Sequence, residues 1–115
     1  FDYEPRVRTG RCDRAKSPHA THPAVRTHPE TGRRALYVNR LMTEEFVGLD
    51  IAESDTLLET VLSHAENMDH VYEHVWQTGD LVMWDNRCTQ HARRDFPDNE
   101  RRLLRRIGLE GDVPY

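Results

Sequence analysis

Long apolar runs are missing from this chain. No stretch approaches the roughly 18 residues needed to cross a bilayer, and nothing resembles the basic, apolar and small-residue succession of a secretory leader. A cytoplasmic protein without membrane contact is the expectation. Cysteine is scarce: Cys12 and Cys88 fit no metal-binding spacing and read as reduced thiols rather than a bridge. Positive charge is not in excess either. Sixteen lysines and arginines against 20 aspartates and glutamates leave a formal charge of −4, which speaks against a general nucleic-acid binder, as does the lack of aromatics interleaved with the arginines.

The composition that remains, 37% hydrophobic and 31% charged, is that of an ordinary, slightly polar globular protein. At 115 residues there is room for one domain at most. The chain opens on Phe1 rather than methionine and reads as a piece of a longer protein.

Residues 1–21 show neither strand nor helix periodicity. Pro5, Gly10 and Pro18 punctuate a basic, polar run, as expected of an irregular surface segment, linker or lid-side loop. A hairpin follows. Ala24–His28 and Arg34–Asn39 flank Pro29, Glu30, Thr31 and Gly32, where proline presets a turn and glycine accepts positive φ. Strand pleating places Leu36 and Val38 on one face and Ala35 and Tyr37 on the other. Asp50 to Asn67 predicts a helix. Asp50 and Glu53 fit a capping box, and Leu57, Leu58, Val61 and Leu62 form an apolar stripe at helical spacing.

From His70 the pattern returns to strands. Residues 70–77 and 80–85 flank a glycine-containing turn at Thr78 and Gly79. A second turn at Asn86 and Arg87 leads into 88–92, which carries His91. Arg101–Leu109 is ambiguous by periodicity, since a helix gathers Leu103, Leu104 and Ile107 and a strand alternates arginine with leucine. Either form leaves Arg102 and Arg106 on one side. A strand sets their Cα atoms roughly 13 Å apart.

Chemistry concentrates between Trp84 and Arg106. One imidazole, His91, is followed by two spaced guanidiniums, Arg102 and Arg106. Imidazole is the commonest protein ligand of iron or zinc, and a guanidinium fork grips carboxylates bidentately. The same residues also fit a hydrogen-bonded surface histidine and a solvated or phosphate-contacting basic face. Three further histidine pairings are set aside as metal sites. His28 with Glu30 sits at a turn, His64 with Glu66 on a helix, and His70 with His74 on a strand face that lacks a third ligand.

The strings HPAVRTHPETGRRALYVNR (22–40), WDNRCTQH (84–91) and the ERRLLRR…GD ending (100–112) together resemble the C-terminal part of the taurine dioxygenase (TauD/TfdA) family of Fe(II)- and 2-oxoglutarate-dependent dioxygenases. The resemblance covers residues 22–112, and only the last two-fifths or so of a typical family member. It implies a mainly β fold, the C-terminal strands and one outer helix of a double-stranded β-helix (a cupin-like jelly roll), with residues 22–115 in that domain and Arg101–Leu109 as one of the strands. A half-barrel of this kind leaves strand edges unpaired.

The resemblance also assigns roles. His91 matches the distal iron-ligand histidine, Arg102 the arginine that binds the distal carboxylate of 2-oxoglutarate, and Arg106 the arginine near the anionic group of the prime substrate. Met42 stands where relatives often place a substrate-side aromatic, although its residue type favours an ordinary core position. Trp84 either walls the iron pocket or fills the core. The metal-binding His-X-Asp pair is not in this chain and is expected upstream. The implied cofactors are Fe(II), the co-substrate 2-oxoglutarate and O2. The implied reaction is hydroxylation of a small anionic substrate (a sulfonate, sulfate or carboxylate) with release of succinate and CO2. A homo-oligomer is compatible with this reading, and the 115-residue chain alone is expected to be inactive. The alternatives are a catalytically silent jelly-roll binding or structural domain and, further off, a nucleic-acid-binding module built on the arginines.

Overall fold

The computed structural model describes residues 15–16 and 18–115; Cys12 and most of the 1–21 segment lie outside them. Among the described residues the regular elements are two short strands, one α-helix and one 3-10 turn.

Strands β1 (Val25–Thr27) and β2 (Arg34–Leu36) pair antiparallel, with Val25 opposite Leu36, Arg26 opposite Ala35 and Thr27 opposite Arg34. The expected hairpin is present, shortened to three residues a side. One further backbone bond extends it at its open end, from Tyr37 N–H to the Ala24 carbonyl (2.7 Å). Its loop closes as turn chemistry dictates: His28 N–H reaches the Arg33 carbonyl (2.8 Å) and Gly32 N–H the His28 carbonyl (2.9 Å). Gly32 takes φ +67° there, a conformation L side chains adopt at a cost. The last residue returns to this hairpin, the Tyr115 carbonyl accepting from Thr27 N–H at 2.8 Å.

Helix α1 (Ile51–Ala65) begins where the sequence places its cap. Asp50 accepts from Glu53 N–H at 2.8 Å, satisfying one of the helix's orphan donors. Val38, Leu58 and Leu62 form the buried core, with Ala24, Leu36, Phe46 and Val61 packed around it. Leu36 and Val38 thus share the inner face, as their alternation predicts. Leu57 does not join the stripe and stays 42% exposed. The helix carries one buried hydroxyl, Ser54, which accepts from Phe46 N–H (2.8 Å) and ties the preceding loop down.

An ionic clamp joins hairpin and helix. Arg40, just past β2, donates to Glu66 through Nε (3.2 Å to each carboxylate oxygen) and Nη2 (3.0 Å), and to Glu59 through Nη1 (2.8 Å) and Nη2 (3.1 Å). A planar five-donor fork fits two carboxylates at once in a way an ammonium cannot. These bonds hold the Glu59 carboxyl below the usual carboxylate range, Arg40 first and Ser63 second.

The strands expected at 70–77, 80–85, 88–92 and 101–109 do not form: none of these residues is in a ladder. Their apolar side chains stand in solvent, Leu81 at 88% and Ile107 at 89% exposure. The physical cause is the lack of a hydrogen-bonded neighbour. A strand gains little by itself, because its backbone groups exchange water for nothing and its apolar face finds no opposing layer. The turns between those segments do form, because their bonds are local. Gln77 N–H donates to Asp80 Oδ2 (2.9 Å), Asp80 N–H to the Gln77 carbonyl (3.1 Å), and Gly79 adopts φ +97°. No helix among the described residues is long and apolar enough to cross a membrane.

Candidate functional site

His91 follows a tight turn whose bonds all start from Asp85. The Asp85 carbonyl accepts from Cys88 N–H (3.3 Å), Thr89 N–H (3.0 Å) and the Thr89 hydroxyl (2.6 Å). Its carboxylate accepts from Arg87 N–H at 2.8 Å and from the Arg87 guanidinium at 2.7 to 3.0 Å. An aspartate that folds the backbone two residues on back toward itself is the usual chemistry of such turns. The exposed Cys88 is a free thiol.

Three side-chain bonds attach this turn to the hairpin. His28 Nε2 lies 3.0 Å from Asp85 Oδ2, Arg87 Nη1 donates to Glu30 Oε1 (3.1 Å), and Gln90 Nε2 donates to the Val38 carbonyl (2.6 Å). His28 is 8% exposed, and its Nδ1 accepts from Glu30 N–H and Thr31 N–H, each at 3.3 Å. Two backbone donors on Nδ1 place the ring proton on Nε2, so Nε2 donates to Asp85. The Arg87 guanidinium and backbone N–H, then His28, hold the Asp85 carboxyl well below the usual range. Arg87 is in turn raised by Asp85 and Glu30.

His28, Asp85 and Cys88 offer ligand atoms within 4.8 Å of one another, the one such group among the described residues. Two of the three, His28 and Asp85, are already fully hydrogen-bonded. Neither imidazole nitrogen of His28 has a lone pair left, and Asp85 is saturated by Arg87 and His28. His28 and Asp85 form a polar lock with Arg87 and Glu30. Glu66, two residues from His64, is held by Arg40. His74 is not a free solvent-facing histidine: its Nε2 donates to Asp80 Oδ2 at 2.9 Å. His70 is exposed and meets His64 edge-on, the ring centroids 5.6 Å apart.

The residues singled out in the sequence are partly brought together. Trp84 packs on His91 with ring centroids 4.7 Å apart and planes tilted by 43°, and its indole N–H donates to Asn86 (2.9 Å) in the same turn. At 36% exposure it is not core filler. The His91 ring nitrogens have no hydrogen bond among the described residues, so both are open to a ligand. Arg102 lies over Phe96, its guanidinium carbon 5.7 Å from the ring centroid, with Arg93 on the same ring at 5.1 Å. Neither Arg102 nor Arg106 is paired with a carboxylate among the described residues, a state shared with Arg101 and Arg105; Arg40, Arg87 and Arg94 are paired. No hydrogen bond, ion pair or ring contact links Arg102 or Arg106 to His91. The Arg101–Leu109 strand that would mount them is absent. Met42, at 66% exposure, is no core methionine; its backbone N–H donates to Asn39 (2.8 Å).

Sequence reasoning missed the lock. Its partners sit 57 positions apart, and the only local signal was an aspartate opening a turn beside an arginine.

Comparison with known proteins places this chain in a family. The profile described as "Taurine catabolism dioxygenase TauD, TfdA family" matches residues 1–107, and the chain belongs to that family. Pentalenolactone F synthase of Streptomyces arenae is 43% identical over 93 residues, covering 81% of this chain and 31% of that protein. The alpha-ketoglutarate-dependent 2,4-dichlorophenoxyacetate dioxygenase of Cupriavidus pinatubonensis is 43% identical over 102 residues, 89% of this chain and 35% of that protein. The alpha-ketoglutarate-dependent sulfate ester dioxygenase of Pseudomonas putida is 36% identical over 93 residues, 81% and 31% of the two chains. The chain spans about a third of the length of the curated relatives it matches. No solved structure matches it. The family is one of jelly-roll dioxygenases that use iron, 2-oxoglutarate and O2; the two strands and one helix described here do not by themselves build that barrel.

Proposed function

We propose that this chain is the C-terminal portion of an Fe(II)- and 2-oxoglutarate-dependent dioxygenase that hydroxylates a small anionic substrate. The observation that carries the reading is the family match across residues 1–107, which takes in His91, Arg102 and Arg106 in one span. His91 fits the metal by its chemistry, an imidazole with no hydrogen bond on either nitrogen among the described residues and an indole tilted against it. One imidazole is a third of a two-histidine, one-carboxylate set, and the reading places the His-X-Asp pair upstream of Phe1 in a jelly roll whose missing strands complete the sheets begun here.

Iron with bound 2-oxoglutarate supplies the oxidising chemistry. The protein's share is orientation and charge. His91 would supply one ligand to the metal. Arg102, its guanidinium set over Phe96, offers a fork for the distal carboxylate of 2-oxoglutarate. Arg106 offers a second fork for a sulfonate, sulfate or carboxylate on the prime substrate. Trp84 shields the His91 face from water. Relatives named for a sulfate ester and for a phenoxyacetate support an acidic substrate class for this chain. The test is iron-dependent succinate release by the full-length protein across sulfonates, alkyl sulfates and aryloxyalkanoates. Turnover with one acidic class, lost in His91→Ala, is the expected result. Iron binding without turnover on any of them would favour a catalytically silent domain.

A further inference from the structure

We propose that His28 and Asp85 are positioning residues for His91, acting with Arg87, Glu30 and Gln90 as a clamp that fixes where its imidazole stands. The proposal rests on the reading of His91 as a metal ligand.

The turn that carries His91 is not held by a sheet ladder among the described residues, so its side chains must place it. Two attachment points bracket it. At its start Asp85 is bound to His28 (3.0 Å) and Arg87 to Glu30 (3.1 Å); at its end Gln90, the neighbour of His91, reaches the Val38 carbonyl (2.6 Å). Val38 belongs to the hydrophobic core, so the second point is anchored in the most buried part of the molecule. Among the described residues the His91 ring makes no hydrogen bond that would orient it, and it lies against Trp84, itself bonded to Asn86 of the same turn. The ring's position is therefore inherited from the turn, and the turn's from the clamp.

The members are unequal. Glu30 is 72% exposed at its side chain, and an exposed ion pair contributes little. His28 is buried with both nitrogens used, so its removal leaves the Glu30 and Thr31 N–H groups and one Asp85 oxygen without that partner. A ligand must be held within about 0.5 Å of its productive position, and loss of groups that orient a metal ligand typically weakens metal binding about 10- to 100-fold.

The test uses the full-length protein, with anaerobic Fe(II) titration by calorimetry, the visible spectrum of the Co(II)-loaded protein, and the Tm of the metal-free protein. His28→Ala and Asp85→Asn are expected to weaken Fe(II) binding about tenfold or more and to alter the Co(II) band. His28→Gln, which returns an N–H near the place of Nε2, is expected to restore most of the affinity. Glu59→Ala, which cuts the Arg40 clamp away from this turn, serves as the stability control and is expected to lower Tm with unchanged metal affinity. Wild-type affinity in both His28→Ala and Asp85→Asn overturns the proposal, as does a loss in Glu59→Ala equal to theirs at equal Tm. Undiminished binding in His91→Ala, with binding abolished in His28→Ala, would instead place the metal on His28, Asp85 and Cys88, and would overturn both this proposal and the role of His91.

Discussion

At the scale of single residues, the two arginines proposed as anion holders differ in what supports them. Arg102 rests on Phe96, while Arg106 has no ring contact among the described residues. Carboxylate capture by a braced fork is the geometry a co-substrate site needs, since less rotamer freedom is lost on binding. In the full-length enzyme Arg102→Ala is expected to raise KM for 2-oxoglutarate far more than Arg106→Ala does, and Arg106→Ala to act on KM for the prime substrate. Steady-state kinetics with each substrate varied in turn checks this; equal effects on 2-oxoglutarate would undo the assignment. Asp85 yields a second expectation. Its folded-state pKa lies below its unfolded value of about 3.9, chiefly through Arg87. Its stabilising contribution is therefore complete above the unfolded value and is lost as pH falls through the folded one. The Tm of the wild type should fall more steeply below about pH 4 than that of Asp85→Asn, while near neutrality the wild type is the more stable.

At the scale of elements, helix α1 stands on two contributions of different kind. Its cap is local: Asp50 accepts from Glu53 N–H, and Asp50→Ala should cost about 1 kcal/mol by denaturant unfolding of the full-length protein. Its inner face is tertiary: Leu62, 2% exposed, meets the hairpin, and Leu62→Ala should cost about 2–5 kcal/mol through the cavity left behind. Leu57 occupies the same stripe in sequence but stays exposed, so Leu57→Ala should cost much less than Leu62→Ala. A reversed order would mean that Leu57 is covered in the whole protein. The hairpin shows the same division. Its turn is set by Pro29 and Gly32, while its burial depends on the helix that arrives some 20 residues later.

At the scale of the molecule, the apolar side chains at Val75, Leu81, Met83, Leu103 and Ile107 lie open to solvent. They are spaced for strands and have no strands to pair with, in a chain that spans about a third of its relatives. The 115-residue chain alone is therefore expected to show no iron-dependent 2-oxoglutarate turnover, and the full-length protein to show it; succinate release measured on both decides. The same chain should also self-associate with concentration, because unpaired edges and exposed apolar rows invite pairing with other copies.

What the sequence determined by itself is what short-range chemistry dictates: the cap at Asp50, the helix behind it, the turns at residues 29–32, 78–79 and 85–88, and the order of His91, Arg102 and Arg106 that marks the family. The cap, the helix and the turns each depend on groups within a few residues of one another. Tertiary structure alone decided that His28 locks Asp85, that Arg40 grips Glu59 and Glu66, that Gln90 is tied to Val38, and that Leu58 and Leu62 rather than Leu57 are buried. It also decided against strands beyond residue 70, since a strand is defined by the neighbour that pairs with it, and periodicity within one segment does not supply that neighbour.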